Sequence, residues 1–172
     1  MKSAMASTLV SISDYLATTY RPDAEYIDGV IVERNLGEYD HSSLQAALVL
    51  FFGAQQREWN IRVLPEQRIQ VAPTRFRIPD VAVFDRAQPI EPVFTRPPLV
   101  VIEILSKDDT LRAYVERITE YLDFGAANVW IIDPATRRAW VADRSGFQER
   151  AVLEVANSPI RLPLAELFAE LE

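Results

Sequence analysis

Cysteine is absent from the 172 residues. That removes disulfides, thiolate metal sites and cysteine nucleophiles together, and it fits a reducing cytoplasm. Histidine occurs once, at His41, so Ser106 has no evident paired base that would make it a nucleophile. No apolar run approaches the roughly 20 residues needed to cross a bilayer. The opening MKSAMASTLVSISDYL has one lysine and a short mixed apolar stretch, and reads as the ragged start of a helix rather than a secretory leader. Lysine is scarce, with two against 16 arginines, and apart from Lys2 the chain has Lys107 alone. Net positive charge is lacking as well: a balance of −7 argues against non-specific wrapping of nucleic acid, which needs a cationic surface. It leaves open a metal-dependent enzyme whose acidic groups hold the ion.

What is present is an ordinary globular composition, 49% apolar and 25% charged, long enough to bury a sizeable core. The chain is organised around Leu99 to Pro134. An apolar strand, Leu99 to Leu105, is interrupted by Glu103. A polar turn at Ser106 to Asp109 leads into a helical stretch that breaks at Gly125, and a second apolar strand runs from Val129 to Asp133. A carboxylate inside a buried strand costs several kcal/mol unless it is paired or bound, so Glu103 needs a partner.

In chain order, Val10, Ile12, Tyr15 and Leu16 predict a short amphipathic helix over residues 10–19. Asp28-Gly29 between Tyr26-Ile27 and Val30 to Val32 predicts a hairpin. Asp40 can cap a helix beginning at His41, with Leu44, Ala47, Leu48, Leu50, Phe51 and Phe52 as its buried face. Strands are expected at Ile61 to Leu64, at Arg68 to Val71 and from Phe76 to Phe84, the last containing Pro79-Asp80. Pro89, Pro92, Pro97 and Pro98 mark an extended loop. Arg138 to Ala142 and Phe147 to Val155 form a second hairpin, and an acidic helix runs from Leu164 to Leu171. With no repeat or linker, the reading is one mixed α/β domain over residues 1–172.

Asp80 and Glu103 each interrupt an apolar strand. On neighbouring strands they would face one another at about 5 Å, each raising the other's pKa unless a cation neutralises both. Hard oxygen ligands of this kind suit magnesium, which keeps several waters alongside one or two carboxylates. Such an ion polarises a phosphoryl oxygen and activates a bound water, so phosphodiester hydrolysis is the natural reaction. The same two residues could instead be a structural ion pair with arginines such as Arg77 or Arg117.

Asp28-Gly29 after Glu25, His41 at a helix start, Pro79-Asp80, Glu103-Ile104-Leu105-Ser106, and Tyr121 to Pro134 together resemble the Uma2 family of the PD-(D/E)XK nuclease superfamily, over about residues 10–145. The resemblance implies a restriction-endonuclease-like fold, a central mixed sheet flanked by helices. It also implies an endonuclease acting on nucleic acid, DNA foremost, with Mg2+ or Mn2+ as cofactor and Asp80 and Glu103 as metal ligands. The backbone carbonyl of Ile104 would complete the shell, and His41 and Glu25 would line the pocket. A duplex-cutting enzyme of this kind is expected to be a homodimer.

One departure stands out: the superfamily's lysine two residues after the glutamate is replaced here by Leu105. By the same resemblance the role passes to Arg117, four residues before Tyr121. Arg117 can hold a phosphate or a carboxylate but cannot act as a base. Lys107 is the rival; on an extended strand it would lie roughly 13 Å from Glu103 and would have to fold back.

His41 reads either as a substrate or carboxylate contact or as a cap neighbour. Glu25 reads either as an extension of the metal site or as a hairpin surface charge. Asp28 is turn chemistry, Ser106 a cap, and Asp108 and Asp109 are helix-start anions. Tyr121, Phe124 and Trp130 belong to the core. Arg68, Arg75 and Arg77 are either a phosphate-facing edge or a solvated rim. A different class of function also fits the missing lysine and the acidic surface: an idle relative that keeps the fold as an interaction module.

Overall fold

The computed structural model describes residues 9–34, 37–107 and 109–171. Ser11 caps a short helix, α1 (Ile12–Ala17), by accepting from the Asp14 N–H. Strands β1 (Ala24–Ile27) and β2 (Val30–Glu33) come next, closed by Asp28-Gly29, both at positive φ, as a two-residue hairpin turn requires. Helix α2 spans Tyr39–Gln55. It starts two residues before the sequence expectation, so Asp40 lies in its first turn and Glu38 stands at the N-cap.

After α2 the chain forms β3 (Ile61–Pro65), β4 (Ile69–Ala72), β5 (Arg75–Arg77) and β6 (Val81–Asp85). The run from Phe76 to Phe84 is therefore two strands, divided at Ile78-Pro79-Asp80. Proline has no N–H for a ladder, and the chain changes sheets there. The proline-rich loop carries Phe94 into the core, stacked on Phe84 with ring centroids 4.0 Å apart.

Strand β7 (Val100–Ile104), helix α3 (Leu111–Phe124) and strand β8 (Val129–Asp133) form the central unit, and β7 and β8 are parallel. The second hairpin pairs β9 (Arg138–Asp143) with β10 (Gly146–Glu149). Beyond β10 the chain leaves that sheet: β11 (Val152–Glu154) pairs with β12 (Arg161–Pro163), and α4 (Leu164–Ala169) closes the described chain. Among the described residues no helix is long and apolar enough to cross a membrane.

Two sheets organise these pieces, β2-β1-β5-β4 and the mixed β10-β9-β8-β7-β6-β3. The larger is covered on both faces, which is why its central strands read as continuous apolar runs rather than alternating ones. Val81, Val83, Val100, Ile102, Ile104, Trp130 and Ile132 pack on one face with α2 and α4. Ala82, Phe84, Val101, Val129 and Ile131 pack on the other with Tyr114, Ile118 and Tyr121 of α3. Leu50, expected in the buried face of α2, is 73% exposed.

Candidate active site

The register of β6 on β7 pairs Val81 with Ile102 and Ala82 with Val101. Continued by one residue it sets Asp80 opposite Glu103. Side chains alternate along a strand, so Glu103 shares the side of Val101 and meets α3 through Tyr121 and Arg117, whereas Asp80, just before β6, meets Arg34, the Ile104 N–H and residues of α2. The change of sheet at Pro79 leaves Asp80 at the mouth of β6, while Glu103 is held inside β7.

Four charged side chains are buried among the described residues: Glu25, Arg77, Asp80 and Glu103. All four belong to this one cluster, and each is paired, as buried charges must be. Glu103 accepts from the Tyr121 hydroxyl at 2.7 Å and from Arg117 at 3.3 Å. Arg117 also lies 3.6 Å from Glu25, which in turn bonds Arg77 at 2.7 Å and accepts the Ile78 N–H at 3.0 Å. Glu25 is thus a core group and not a hairpin surface charge. Asp80 accepts the Ile104 N–H at 2.7 Å on one carboxylate oxygen. On the other it meets Arg34 and, at 3.3 Å, Nε2 of His41. Four residues along α2 from His41, Gln45 donates to the Asp80 carbonyl at 2.9 Å, so the first turns of that helix grip Asp80 by side chain and main chain together.

These surroundings drive the two carboxyls apart. Burial pushes the Glu103 carboxyl up to about 7; Arg117 opposes this and the Asp80 charge reinforces it. Burial also works to raise Asp80, but the hydrogen bond from His41 and the charge of Arg34 outweigh it and leave Asp80 below its ordinary range. His41 is raised in return, first by its hydrogen bond to Asp80. The Glu103 charge holds Arg117 firmly protonated.

Of the residues singled out from sequence, Asp80, Glu103, Arg117, His41 and Glu25 come together. Ile104 joins through its N–H, while its side chain packs in the opposite core face. Lys107 is 66% exposed and pairs with Glu38 at the head of α2. Arg75 and Arg77 do not form a phosphate-facing edge. Arg75 is engaged by Asp28, Glu116 and Glu120, Arg77 by Glu25 and Glu120, and Arg68 lies over the Tyr15 ring. Ser106 Oγ caps no helix among the described residues: the cap of α3 is Thr110, and Asp109 accepts the Ser106 N–H. Asp108 lies outside the described residues.

Sequence reasoning passed over Arg34, Gln45, Tyr114 and the hydroxyl of Tyr121. Tyr114, Arg117 and Tyr121 share one face of α3 by helical spacing, and Gln45 stands at i+4 from His41; both signals were available. Arg34 had none, because nothing in a pattern of alternation says which arginine meets which acid.

The donor set suits a small hard cation: two buried carboxylates on adjoining segments, with the Ile104 peptide bonded to one and next in sequence to the other. Among the described residues no three His, Asp or Glu side chains are grouped to hold a metal, so an ion here would rest on two carboxylates, main chain and water. The Tyr114 hydroxyl, Ser106 Oγ, His41 Nδ1 and Arg117 Nε are buried, with no hydrogen-bond partner among the described residues.

A crystal structure described as a putative nuclease belonging to DUF820 from Anabaena variabilis matches with a TM-score of 0.82 at 23% identity. The match covers 95% of this chain and 99% of that one, and it shows the fold. The DrdV–DNA complex, solved by cryo-electron microscopy, matches at a TM-score of 0.44 and 17% identity over 74% of this chain and 10% of that one, too weak a likeness to carry an argument. No curated protein sequence matches significantly. The family Uma2, described as "Putative restriction endonuclease", matches residues 12–172. The chain belongs to the Uma2 family.

Proposed function

We propose that this chain is a magnesium-dependent endonuclease, one nuclease-fold domain that hydrolyses phosphodiester bonds of nucleic acid, with DNA as its substrate. The observation that supports this reading is the burial of both carboxylates in one cluster, with Asp80 accepting the N–H of Ile104, the residue next to Glu103. In it, Asp80, Glu103 and the Ile104 carbonyl hold the metal. When bound, the ion polarises a phosphoryl oxygen and lowers the pKa of a water.

The chain's own residues do the rest. Arg117, held between Glu103 and Glu25, steadies the scissile phosphate. It is a permanent cation, so it orients and neutralises but moves no proton. His41, bound to Asp80, lines the pocket. Glu25 keeps Arg117 aimed. Lys107, exposed on Glu38, is the lesser substitute for the lysine that Leu105 displaces. The reading includes a cytoplasmic homodimer, in which two sites reach two strands.

The test is Mg2+-dependent cleavage of supercoiled and single-stranded DNA by the parent and by Asp80→Ala. The expected result is cutting by the parent and a loss of at least about a hundredfold in the variant. Equal activity in the two, or none over a broad substrate panel, overturns the reading. Sedimentation of the parent tests the dimer.

A second reading has its own observation. Each carboxylate is already paired with an arginine, Asp80 with Arg34 and Glu103 with Arg117, as in an idle module that keeps the fold for binding. Calorimetric titration with Mg2+ or Mn2+ separates the two, because the idle module gives no heat that depends on Asp80.

A further inference from the structure

Arg34 lies just past β2, with its backbone N–H fixed on the Asp23 carbonyl at 2.9 Å. Its side chain is 13% exposed and bonds Asp80; Glu66 is 3.6 Å away and half-exposed, and the charges of Glu103 and Glu25 also reach it. The cluster already holds its own cations, and Nε2 of His41 lies 3.3 Å from the same Asp80 oxygen that Arg34 meets. Asp80, Glu103 and Glu25 face Arg34, Arg117 and Arg77, and Arg77 is shared with Glu120.

A divalent ion at Asp80 would add two positive charges beside the guanidinium and imidazole already there, and like charges at contact in a weakly screened interior repel strongly. A guanidinium does not deprotonate, so it cannot escape the conflict by losing its charge. His41 can release its proton, an arginine cannot, so the guanidinium on Asp80 is the charge that must move aside. Arg117 is held between two carboxylates that are fully buried, Glu103 and Glu25. Arg34 touches only one buried carboxylate among the described residues, Asp80, together with an acid at the surface, and feels Glu103 and Glu25 from further off. Arg34 is also the one that meets the carboxylate oxygen opposite the oxygen taken by the Ile104 N–H.

We propose that Arg34 is the resident counter-charge of Asp80 and that a divalent cation binds by displacing it, so that Arg34 sets how tightly the site holds its metal. The proposal rests on the reading of Asp80 and Glu103 as metal ligands. It gives the metal-free protein a means of keeping Asp80 ionised in the core, and it makes metal affinity adjustable from a residue that is not a ligand.

The experiment is calorimetric titration of the intact chain with Mn2+, using the parent, Arg34→Gln, Arg34→Met, Arg34→Lys and Asp80→Asn. Thermal unfolding of each identifies the folded variants. Removing the charge-assisted bond tightens Mn2+ binding by about ten- to a hundredfold in Arg34→Gln. Arg34→Met, which keeps the apolar stem, gives the same result and guards against one variant failing to fold. Arg34→Lys, which keeps the charge, stays near the parent. If Asp80→Asn abolishes Mn2+ binding while Arg34→Gln and Arg34→Met bind no tighter than the parent, the competition is overturned and the metal reading stands. If the parent and both uncharged Arg34 variants bind no Mn2+, the metal reading fails and the proposal with it.

Discussion

Glu103 and Asp80 face each other at the ends of adjoining strands, yet one carboxyl is raised and the other lowered, and the difference lies in who donates to them. Asp80 receives Arg34, His41 and a main-chain N–H, whereas Glu103 receives a neutral hydroxyl and one guanidinium at 3.3 Å. Below its ordinary value of 4.5 Glu103 is protonated folded and unfolded alike. Between there and about 7 the folded chain keeps a proton that the unfolded chain has released, so the stabilisation from Glu103 is full at low pH and is lost as pH rises through about 7. In EDTA, Glu103→Gln should therefore gain on the parent between pH 5 and pH 8, by at least about 1 kcal/mol or roughly 2–4 °C in Tm. A difference in Tm that stays constant across that range sinks the assignment. That these two acids belong to one buried cluster was legible from the single carboxylate interrupting each of two apolar runs. Which cation each would hold was not: Arg34 sits 46 residues before Asp80, and no local spacing connects them.

At the scale of elements, the unit from β7 through α3 to β8 fixes Arg117 and Tyr121 over Glu103, and Gly125 sets where α3 stops. Its φ is +105°, and its N–H returns to the Tyr121 and Leu122 carbonyls. An added Cβ would meet Pro97 at 3.6 Å, an ordinary contact, so the cost of Gly125→Ala is conformational, about 1–2 kcal/mol, and Tm should fall by roughly 2–8 °C. Gly53, inside α2 with nothing within 4 Å of an added Cβ, carries the opposite sign: Gly53→Ala should stabilise by about 0.5–1 kcal/mol. Thermal unfolding of both checks the pair, and shifts of the same sign would refute the distinction. The stop at Gly125 and the turn at Asp28-Gly29 were readable because each depends on a few adjacent residues. The division of residues 76–84 between two sheets was not, since the apolar run continues across Pro79 and only long-range pairing shows that its halves have different neighbours. The exposure of Leu50 was hidden for a related reason: α2 is apolar nearly all round, so its pattern does not choose a face.

At the scale of the whole molecule, an acidic protein proposed to cut nucleic acid must meet a polyanion without a cationic surface. The chain carries a net charge of −7, and many of its arginines are spent on its own acids. Arg75 and Arg77 serve Asp28, Glu25, Glu116 and Glu120; Arg34 and Arg117 serve Asp80 and Glu103; Arg138 and Arg144 serve Glu149 and Asp123. Those are six of the sixteen arginines, the net negative charge opposes a broad phosphate footprint, and each phosphate neutralised contributes about −0.9 to the slope of log K against log salt on duplex DNA. The expected slope is shallow, equivalent to fewer than about four phosphates per protomer, and binding should depend on the divalent ion, weakening at least tenfold in EDTA or in Asp80→Asn. Fluorescence anisotropy over a salt series with Ca2+ in place of Mg2+ measures both quantities without cleavage. A steep slope equivalent to six or more phosphates, unchanged by EDTA, would mean that the molecule grips nucleic acid through a surface other than the one around Asp80 and Glu103, and the acidic balance of the chain would then need a different explanation.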